Sequence, residues 1–91
     1  MNTFAKITNT SKALADKTRF EILRLIAKSG EISCKKITAM IPLSQPAISH
    51  HLKILINSKL VNVRREGQWG YFSLNKKVFN EFLKLLKKEV K

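Results

Sequence analysis

The sequence contains little of what disulfide-stabilised, membrane-spanning or phosphate-cradling proteins need. Its 91 residues include one cysteine, three glycines and two prolines. A single cysteine cannot form an internal disulfide, three glycines are too few for a phosphate-cradling loop, and no paired carboxylates or nucleophile–base pair can be recognised. No apolar run approaches the roughly 18–20 residues of a membrane span, and residues 1–12 lack the apolar core of a signal peptide. We therefore expect a cytoplasmic protein that is not an enzyme and carries no cofactor.

Acidic residues are also scarce. Asp and Glu number 6 against 18 Lys and Arg, which gives a formal net charge of +12. Residues 34–65 contain no carboxylate, yet they carry the basic residues Lys35, Lys36, Lys53, Lys59, Arg64 and Arg65. Ordinary solvated surfaces mix charges of both signs. The acid-free segment therefore favours a polyanionic partner such as nucleic acid.

The hydrophobic periodicity predicts a single domain over residues 1–91 that begins with four helices. Apolar residues recur at helical spacing over four segments, residues 3–14, 17–28, about 34–40 and about 45–57. Asp16, Ser33 and Ser44 are suited to cap the second, third and fourth helices, and Gly30 to end the second. The side chains expected inside include Phe20, Leu23, Ile26, Ile37, Met40 or Ile41, Ile48, Leu52 and Leu55.

After these helices the pattern changes to the alternation typical of strands. Residues 60–65 and 68–74 alternate, and Glu66-Gly67 between them is a two-residue hairpin signal. The expected cross-strand pairs are Val61 with Phe72, Val63 with Gly70, Asn62 with Tyr71, and Arg64 with Trp69, the last as a cation–π contact. Asn75 can cap a last helix over residues 76–91.

The expected fold is mainly α with a small β-hairpin, in the order ααααββα, which is a winged helix-turn-helix. A chain of this size buries only about 60–65% of its unfolded surface, and the apolar stripe of the last helix is wider than one chain needs. We therefore expect the terminal helices, about residues 3–14 and 76–91, to form the interface of a homodimer. Basic amphipathic helices also bind membrane surfaces, but we expect no membrane partner here.

The fourth helix carries the most informative segment, residues 43–53 (LSQPAISHHLK). At about 100° per residue, Ile48, Leu52 and Leu55 fall on one side. The opposite side is short, hydrogen-bonding and mildly basic, and it consists of Gln45, Pro46, Ser49, His50, Lys53 and Asn57. A face of this kind suits a helix laid in the major groove of double-stranded DNA, because short polar side chains let the backbone approach the base edges.

Each side chain of this segment has an expected role. Gln45 and Ser49 are the expected base readers, and His50 is expected to donate to a base or a phosphate. Lys53 should reach a phosphate and position the helix without reading sequence. Ser44 caps the helix, although its position also permits a phosphate contact. His51 projects towards the apolar side, where a histidine is usually satisfied by a backbone carbonyl.

Further basic residues lie outside the fourth helix. Arg64 and Arg65 lead into the wing tip, where an arginine can enter the minor groove or meet a phosphate. The alternative is a hairpin kept soluble by its charge. Lys35 and Lys36 are either phosphate anchors or plain surface. Cys34 is expected to be structural rather than a redox sensor, since its lysine neighbours are the only argument for a reactive thiol.

Four segments in this order resemble the ArsR/SmtB family of bacterial winged-helix repressors. They are residues 14–19 (LADKTR) leading into Ile22-Leu23, residues 43–53, the pair Leu60-Val61, and residues 64–69 (RREGQW) followed by Tyr71 and Leu74. The resemblance implies a homodimer held by its first and last helices. It also implies binding to an imperfect palindrome in the protein's own promoter and repression of transcription.

The metal ligands of that family are missing. Metal-binding relatives carry a Cys-x-Cys pair at the start of the third helix, where this sequence has Ser33 and Lys35 with Cys34 between them. The other common site uses His, Asp and Glu on the last helix, where only Glu81 and Glu89 are present. Soft and borderline metals need several thiolate, imidazole or carboxylate ligands. We therefore expect no metal site and no metal response.

A function from another class also fits the charge. A structural nucleic-acid-binding protein, associated with the ribosome or the chromosome, would be equally basic and would lack promoter specificity. Both functions predict steep salt dependence. They differ in the preference for a specific site, which for a repressor should be about 10³ or more over random duplex.

Overall fold

The computed structural model describes residues 2–91, which form five helices and a small three-stranded antiparallel sheet. The elements in chain order are α1 (Thr3–Leu14), α2 (Lys17–Ser29), β1 (Ile32–Ser33), α3 (Cys34–Met40), α4 (Gln45–Asn57), β2 (Val61–Glu66), β3 (Trp69–Leu74) and α5 (Lys76–Glu89). The arrangement is a winged helix-turn-helix, in which α3 and α4 form the helix-turn-helix and the β2–β3 hairpin forms the wing. The predicted fold class is confirmed.

Polar side chains fix where the helices begin. The predicted caps Asp16, Ser33, Ser44 and Asn75 each accept a hydrogen bond from the backbone N–H three residues later, which satisfies a donor that has no partner inside the helix. Gly30 ends α2 with a φ of 78°, a conformation that glycine adopts without steric cost. The helix boundaries therefore follow from local side-chain chemistry.

The hydrophobic core lies between α2, α4 and the sheet. Its fully buried side chains are Ile22, Ile26, Ile37, Ile48, Leu55 and Leu60. Two residues expected inside are exposed instead, Phe20 at 51% and Met40 at 55%. Phe20 lies about 200° around α2 from Ile22 and so leaves the buried stripe. Of the two alternatives at the end of α3, Ile41 is the one that packs against the core.

A short strand that the sequence did not predict precedes α3. Ile32 and Ser33 of β1 pair antiparallel with Phe72 and Tyr71 of β3, which gives the sheet order β1-β3-β2. Two residues are too few to show alternation, so the pattern of the sequence contains no signal for this strand. Its effect is to attach the wing to the start of α3.

The hairpin register differs from the prediction by two residues. The loop is Gly67-Gln68, and the observed pairs are Val61 with Leu74, Asn62 with Ser73, Val63 with Phe72, Arg64 with Tyr71, Arg65 with Gly70 and Glu66 with Trp69. A two-residue hairpin loop favours positive φ at its first position, and Gly67 supplies it with a φ of 61°. Because the shift is an even number of residues, every side chain keeps the sheet face that was predicted for it.

The terminal helices pack against each other and leave apolar side chains outside. Phe4 of α1 is 67% exposed, and Leu83 of α5 is 46% exposed. Lys6 and Glu81 join the same two helices through an ion pair with a separation of 3.7 Å. None of the described helices has both the length and the apolar character that crossing a membrane requires.

Candidate nucleic-acid interface

Helix α4 separates an apolar face from a polar face, as the sequence predicts. Ile48, Leu52 and Leu55 are buried against the core, with 0%, 3% and 0% of their surface exposed. The polar face is turned to solvent, where Ser44, Gln45, Pro46, Ser49, His50 and Lys53 are all exposed. These side chains are therefore free to meet an external partner over about two helical turns.

The first turn of α4 is stabilised by a serine cap and a proline. The Ser44 hydroxyl accepts a hydrogen bond from the Ala47 N–H at 3.3 Å, which confirms its predicted capping role. Pro46 stands inside this turn without disrupting it, because backbone donors in the first turn have no partner inside the helix. The fixed φ of proline also stiffens the end of the helix that carries Gln45.

His51 is half-buried, but its partner is not the backbone carbonyl that was predicted. Its Nδ1 lies 3.3 Å from Nη1 of Arg19, and a guanidinium can only donate, so Nδ1 is the acceptor. Arg19 also donates from Nε to the Ala13 carbonyl at 2.6 Å and from Nη2 to the Lys12 carbonyl at 3.2 Å. One side chain therefore joins the end of α1 to the middle of α4.

A groove of about 830 Å³ separates α4 from the wing. Its walls carry polar and basic side chains, and its lining includes Lys35, Thr38, Gln45, Ser49, Lys53, Arg65, Gln68 and Trp69. Among the residues that the structure describes, no carboxylate lines the groove. The side chain of Cys34, half-buried and free of a disulfide, contributes to its wall. The groove therefore combines apolar side chains with three cations, Lys35, Lys53 and Arg65, which can attract an anion.

Of the four basic contacts predicted outside α4, two lie in this groove and two do not. Lys35 lines it from α3, and Arg65 lines it from β2. Lys36 is exposed on α3 outside the groove, with its backbone N–H bonded to the Ser33 hydroxyl at 3.1 Å. Arg64 lies on the other face of the wing, because successive side chains of a strand point to opposite faces.

Arg65 reaches the groove across a glycine. Its cross-strand partner is Gly70, and a Cβ atom built on Gly70 would lie 2.9 Å from Nη1 of Arg65. That separation is too short for a real side chain. The absence of a Cβ at position 70 therefore gives the Arg65 side chain room to lie across β3.

Arg64 is held by protein groups. Its Nε and Nη2 atoms donate to the two carboxylate oxygens of Glu31, at 3.1 and 2.8 Å, and Nη1 donates to Glu66. The guanidinium carbon lies 4.6 Å from the ring centre of Tyr71, so the predicted contact with Trp69 is wrong. The register shift explains the change, since Tyr71 is the residue opposite Arg64. The hydrogen bonds from Arg64 lower the pKa of the Glu31 carboxyl.

The sequence analysis missed three polar or aromatic residues of the groove, Thr38, Gln68 and Trp69. Gln68 belongs to the hairpin loop, and Trp69 is 49% exposed at the start of β3. The prediction assigned Trp69 to Arg64 and so removed it from the candidate contacts. Its position next to the wing tip is a signal that could have placed it there.

The described part of the chain, residues 2–91, contains no group of three or more His, Cys, Asp or Glu residues placed to hold a metal ion. Cys34 and the two histidines of α4 therefore belong to no such group. The two histidines instead lie against each other, with ring centres 5.9 Å apart.

Comparison with known proteins agrees with this architecture. Residues 16–63 match the family described as bacterial regulatory protein, arsR family. An uncharacterized HTH-type transcriptional regulator of Methanocaldococcus jannaschii is 36% identical over 86 residues, which cover 94% of this chain and 97% of that protein. The transcriptional repressor SdpR of Bacillus subtilis is 39% identical over 75 residues, 82% of each chain.

A solved structure shares the whole arrangement. It is the solution structure of a homodimeric winged helix-turn-helix DNA-binding domain from Mycobacterium bovis, a possible ArsR-family transcriptional regulator. The two folds superpose with a TM-score of 0.77 at 28% identity, over 94% of this chain and 82% of the other. The agreement extends beyond the helix-turn-helix to the terminal helices.

Proposed function

The chain belongs to the arsR family of DNA-binding transcriptional regulators, and we propose that it is a homodimeric repressor that binds an imperfect palindrome in a promoter, its own among them. The observation that carries the proposal is the outward face of α4. Gln45, Ser49 and His50 are exposed there, and Gln45 and Ser49 also line the groove, whose lining among the described residues contains no acid. The similarity to the Bacillus subtilis repressor supports repression rather than activation.

The contacts divide into those that read bases and those that position the protein. Gln45 and Ser49 read base edges in the major groove, and His50 donates to a base or a phosphate. Ser44 and Pro46 lie at the end of α4 that approaches the sugar-phosphate backbone. Their position supports a backbone contact, which fixes the register of the helix without reading sequence.

Basic side chains around α4 supply the electrostatic part of binding. Lys53 on α4, Lys35 and Lys36 on α3, and Arg65 on the wing meet phosphates, and Arg65 is also placed to reach the minor groove. Each neutralised phosphate releases counterions, so affinity should fall steeply as salt rises. Because no carboxylate lines the groove within residues 2–91, no lining residue there opposes this attraction.

The terminal helices form the interface of the homodimer. The exposed Phe4 on α1 and Leu83 on α5 are apolar side chains that one chain leaves uncovered, and a second copy would bury them. The Mycobacterium bovis domain with the same fold is homodimeric. In such a dimer two copies of α4 occupy successive major grooves, with half-site centres about 10 bp apart or a multiple of that.

The repressor does not respond to metals through the sites used by metal-sensing members of the family. Support comes from the residues at those positions, which are Ser33, Lys35, Glu81 and Glu89. None of them is a thiol or an imidazole. Zinc, copper and arsenite should therefore leave the affinity for the operator unchanged.

Selection of DNA from a randomised pool tests the proposal. Duplexes enriched by the protein should contain a two-fold symmetric pattern. In gel shifts, DNA from the region upstream of its own gene should compete with these duplexes for the protein. A preference of about 10³ or more over shuffled duplex supports a repressor. A pool that shows no enriched pattern, with equally tight binding to shuffled DNA, would instead assign the protein to the structural nucleic-acid-binding class.

A further inference from the structure

We propose that Arg64 positions the wing and does not contact DNA, and that Glu31 therefore promotes DNA binding although its charge opposes that of the DNA. The inference rests on the proposed function, since it concerns how the wing is presented to an operator. Arg64 and Arg65 are neighbours in a basic hairpin, and the sequence predicts that both contact DNA. The structure gives the two side chains different surroundings.

The Arg64 side chain crosses the whole sheet. It starts on β2, passes over the ring of Tyr71 on β3, and ends on the carboxylate of Glu31, the residue before β1. The two hydrogen bonds to Glu31 are parallel, a geometry that only arginine can supply to a carboxylate. The wing is thereby attached to the turn that follows α2.

The remaining side of the guanidinium is occupied as well. Nη1 donates to Glu66, the last residue of β2, which lies opposite Trp69 at the wing tip. Arg64 thus faces two carboxylates and one aromatic ring. A phosphate could reach this guanidinium only by displacing groups that already compensate its charge, and the side chain lies on the sheet face away from the groove.

Arg65 has no such partners. No ion pair holds it within the described residues, and its side chain lies over Gly70 and lines the groove beside α4. Where Arg65 and Trp69 lie relative to α4 depends on the angle of the wing, and the bonds between Arg64 and Glu31 restrain that angle. Arg65 therefore contacts the DNA, while Arg64 restrains the position of the wing.

The expected effect of the Glu31 charge on DNA affinity is opposite to the effect that simple electrostatics predicts. Removing a surface carboxylate from a DNA-binding protein ordinarily strengthens binding, because net positive charge increases. Removing the Glu31 charge also releases Arg64 and loosens the wing. We expect the second effect to dominate, so that Glu31→Gln binds the operator more weakly than the unchanged protein.

The experiment compares five proteins on one duplex enriched by the unchanged protein from a randomised pool, with a shuffled duplex alongside. Glu31→Gln, Arg64→Lys and Arg65→Met are the test variants. Glu21→Gln is the matched control, since Glu21 is an exposed acid that makes no ion pair within residues 2–91. Fluorescence anisotropy at several salt concentrations gives affinity and salt slope, and NMR amide shifts of the wing report its conformation.

The expected results separate positioning from contact. Glu31→Gln should weaken binding several-fold, whereas Glu21→Gln should leave it equal or tighter. Arg64→Lys should also weaken binding and shift the wing amides, with its salt slope unchanged, because it keeps the charge and loses the paired hydrogen bonds. Arg65→Met should lower the slope by about 1.

Two outcomes would overturn the inference. One is tighter binding by Glu31→Gln, equal to that of Glu21→Gln. The other is full affinity in Arg64→Lys, with unmoved wing amides. Failure of the proposed function looks different, since the unchanged protein would then bind the enriched and the shuffled duplex equally.

Discussion

Arg19 and His51 form a direct link between the junction of α1 with α2 and the middle of α4, with 3.3 Å between Nη1 and Nδ1. The same guanidinium covers the last carbonyls of α1, which have no partners inside that helix. The helix expected to form the dimer interface and the helix expected to read DNA are therefore connected through one side chain.

Replacing Arg19 by alanine should destabilise the fold. The change removes three contacts, and the Ala13 carbonyl loses its side-chain donor while the Lys12 carbonyl keeps the Ala15 N–H. The loss should cost about 1–3 kcal/mol of the free energy of unfolding. Urea denaturation followed by circular dichroism measures this quantity. Arg24→Ala on the same helix is the control, because exposed Arg24 makes no hydrogen bond or ion pair within residues 2–91, and it should change stability by less than about 0.5 kcal/mol. Equal effects of the two variants would contradict a structural role for Arg19.

Stability should fall in acid partly through Asp16. Its carboxylate accepts the Arg19 N–H at 2.9 Å, and this hydrogen bond lowers the pKa of Asp16 in the folded chain. The unfolded chain then binds the proton first, so the contribution is present above about pH 4 and is lost as pH decreases through the folded value. Asp16→Asn keeps a capping side chain and should therefore lose less stability than the unchanged protein when the pH is lowered from about 6 to about 3. Thermal unfolding midpoints measured over this pH range test the expectation. Parallel curves for the two proteins would exclude Asp16 as a contributor.

Substituting Gly70 should alter DNA binding more than folding. A methyl group at position 70 meets the end of the Arg65 side chain, which is flexible and can move at little cost. We expect Gly70→Ala to change unfolding free energy by less than about 1 kcal/mol while weakening operator binding several-fold. Gly67→Ala is the contrast, since its φ of 61° is unfavourable for alanine although nothing within 4 Å obstructs the methyl group. Unaltered operator affinity in Gly70→Ala would show that the position of Arg65 does not matter.

Substitutions on α4 should separate base reading from phosphate contact. Gln45→Ala and His50→Ala should cost about 1–3 kcal/mol on the operator and reduce its preference over shuffled duplex. Lys53→Ala should weaken both duplexes alike and lower the salt slope by about 1. Titrations of both duplexes at matched salt give these quantities. Indistinguishable behaviour of the two kinds of variant would refute the assignment of the polar face.

Charge placed on the exposed apolar surface of the terminal helices should produce monomers. Leu83→Lys introduces a cation where burial against a second copy is proposed, while the side chain contributes little to the core of its own chain. Sedimentation equilibrium should show half the mass of the unchanged protein, with the helical circular dichroism retained. Asn80→Lys, an exposed position on the same helix, serves as the control for added charge. A dimer that survives Leu83→Lys would place the interface elsewhere.

The parts of the fold that depend on neighbouring residues could be predicted from the sequence. Asp16, Ser33, Ser44 and Asn75 cap helices through side chains that act three residues away, and such signals are local. The face that each side chain of the wing occupies was also predictable, because alternation survives a register shift of two residues. The exposed face of α4 was correct for the same reason, since helical periodicity alone determines it.

The parts that depend on distant residues could not be predicted. Strand β1 exists because β3 pairs with it, and its two residues contain no pattern of their own. The partner of Arg64 lies 33 residues away in the chain, and the partner of His51 lies 32 residues away. The Arg64 guanidinium is thus bound by a carboxylate that no local pattern in the sequence connects to it.

The pairing of β1 with β3 also determines when the groove can exist during folding. Ile32 and Phe72 are far apart in the chain, so their pairing is a non-local contact, which forms more slowly than the local contacts of the intervening helices. A nascent chain whose β3 segment has not yet emerged from the ribosome already contains α4 but has no wing beside it. Competence to recognise an operator should therefore be the last property acquired during synthesis, and truncated translation products should not compete with finished repressor for its sites.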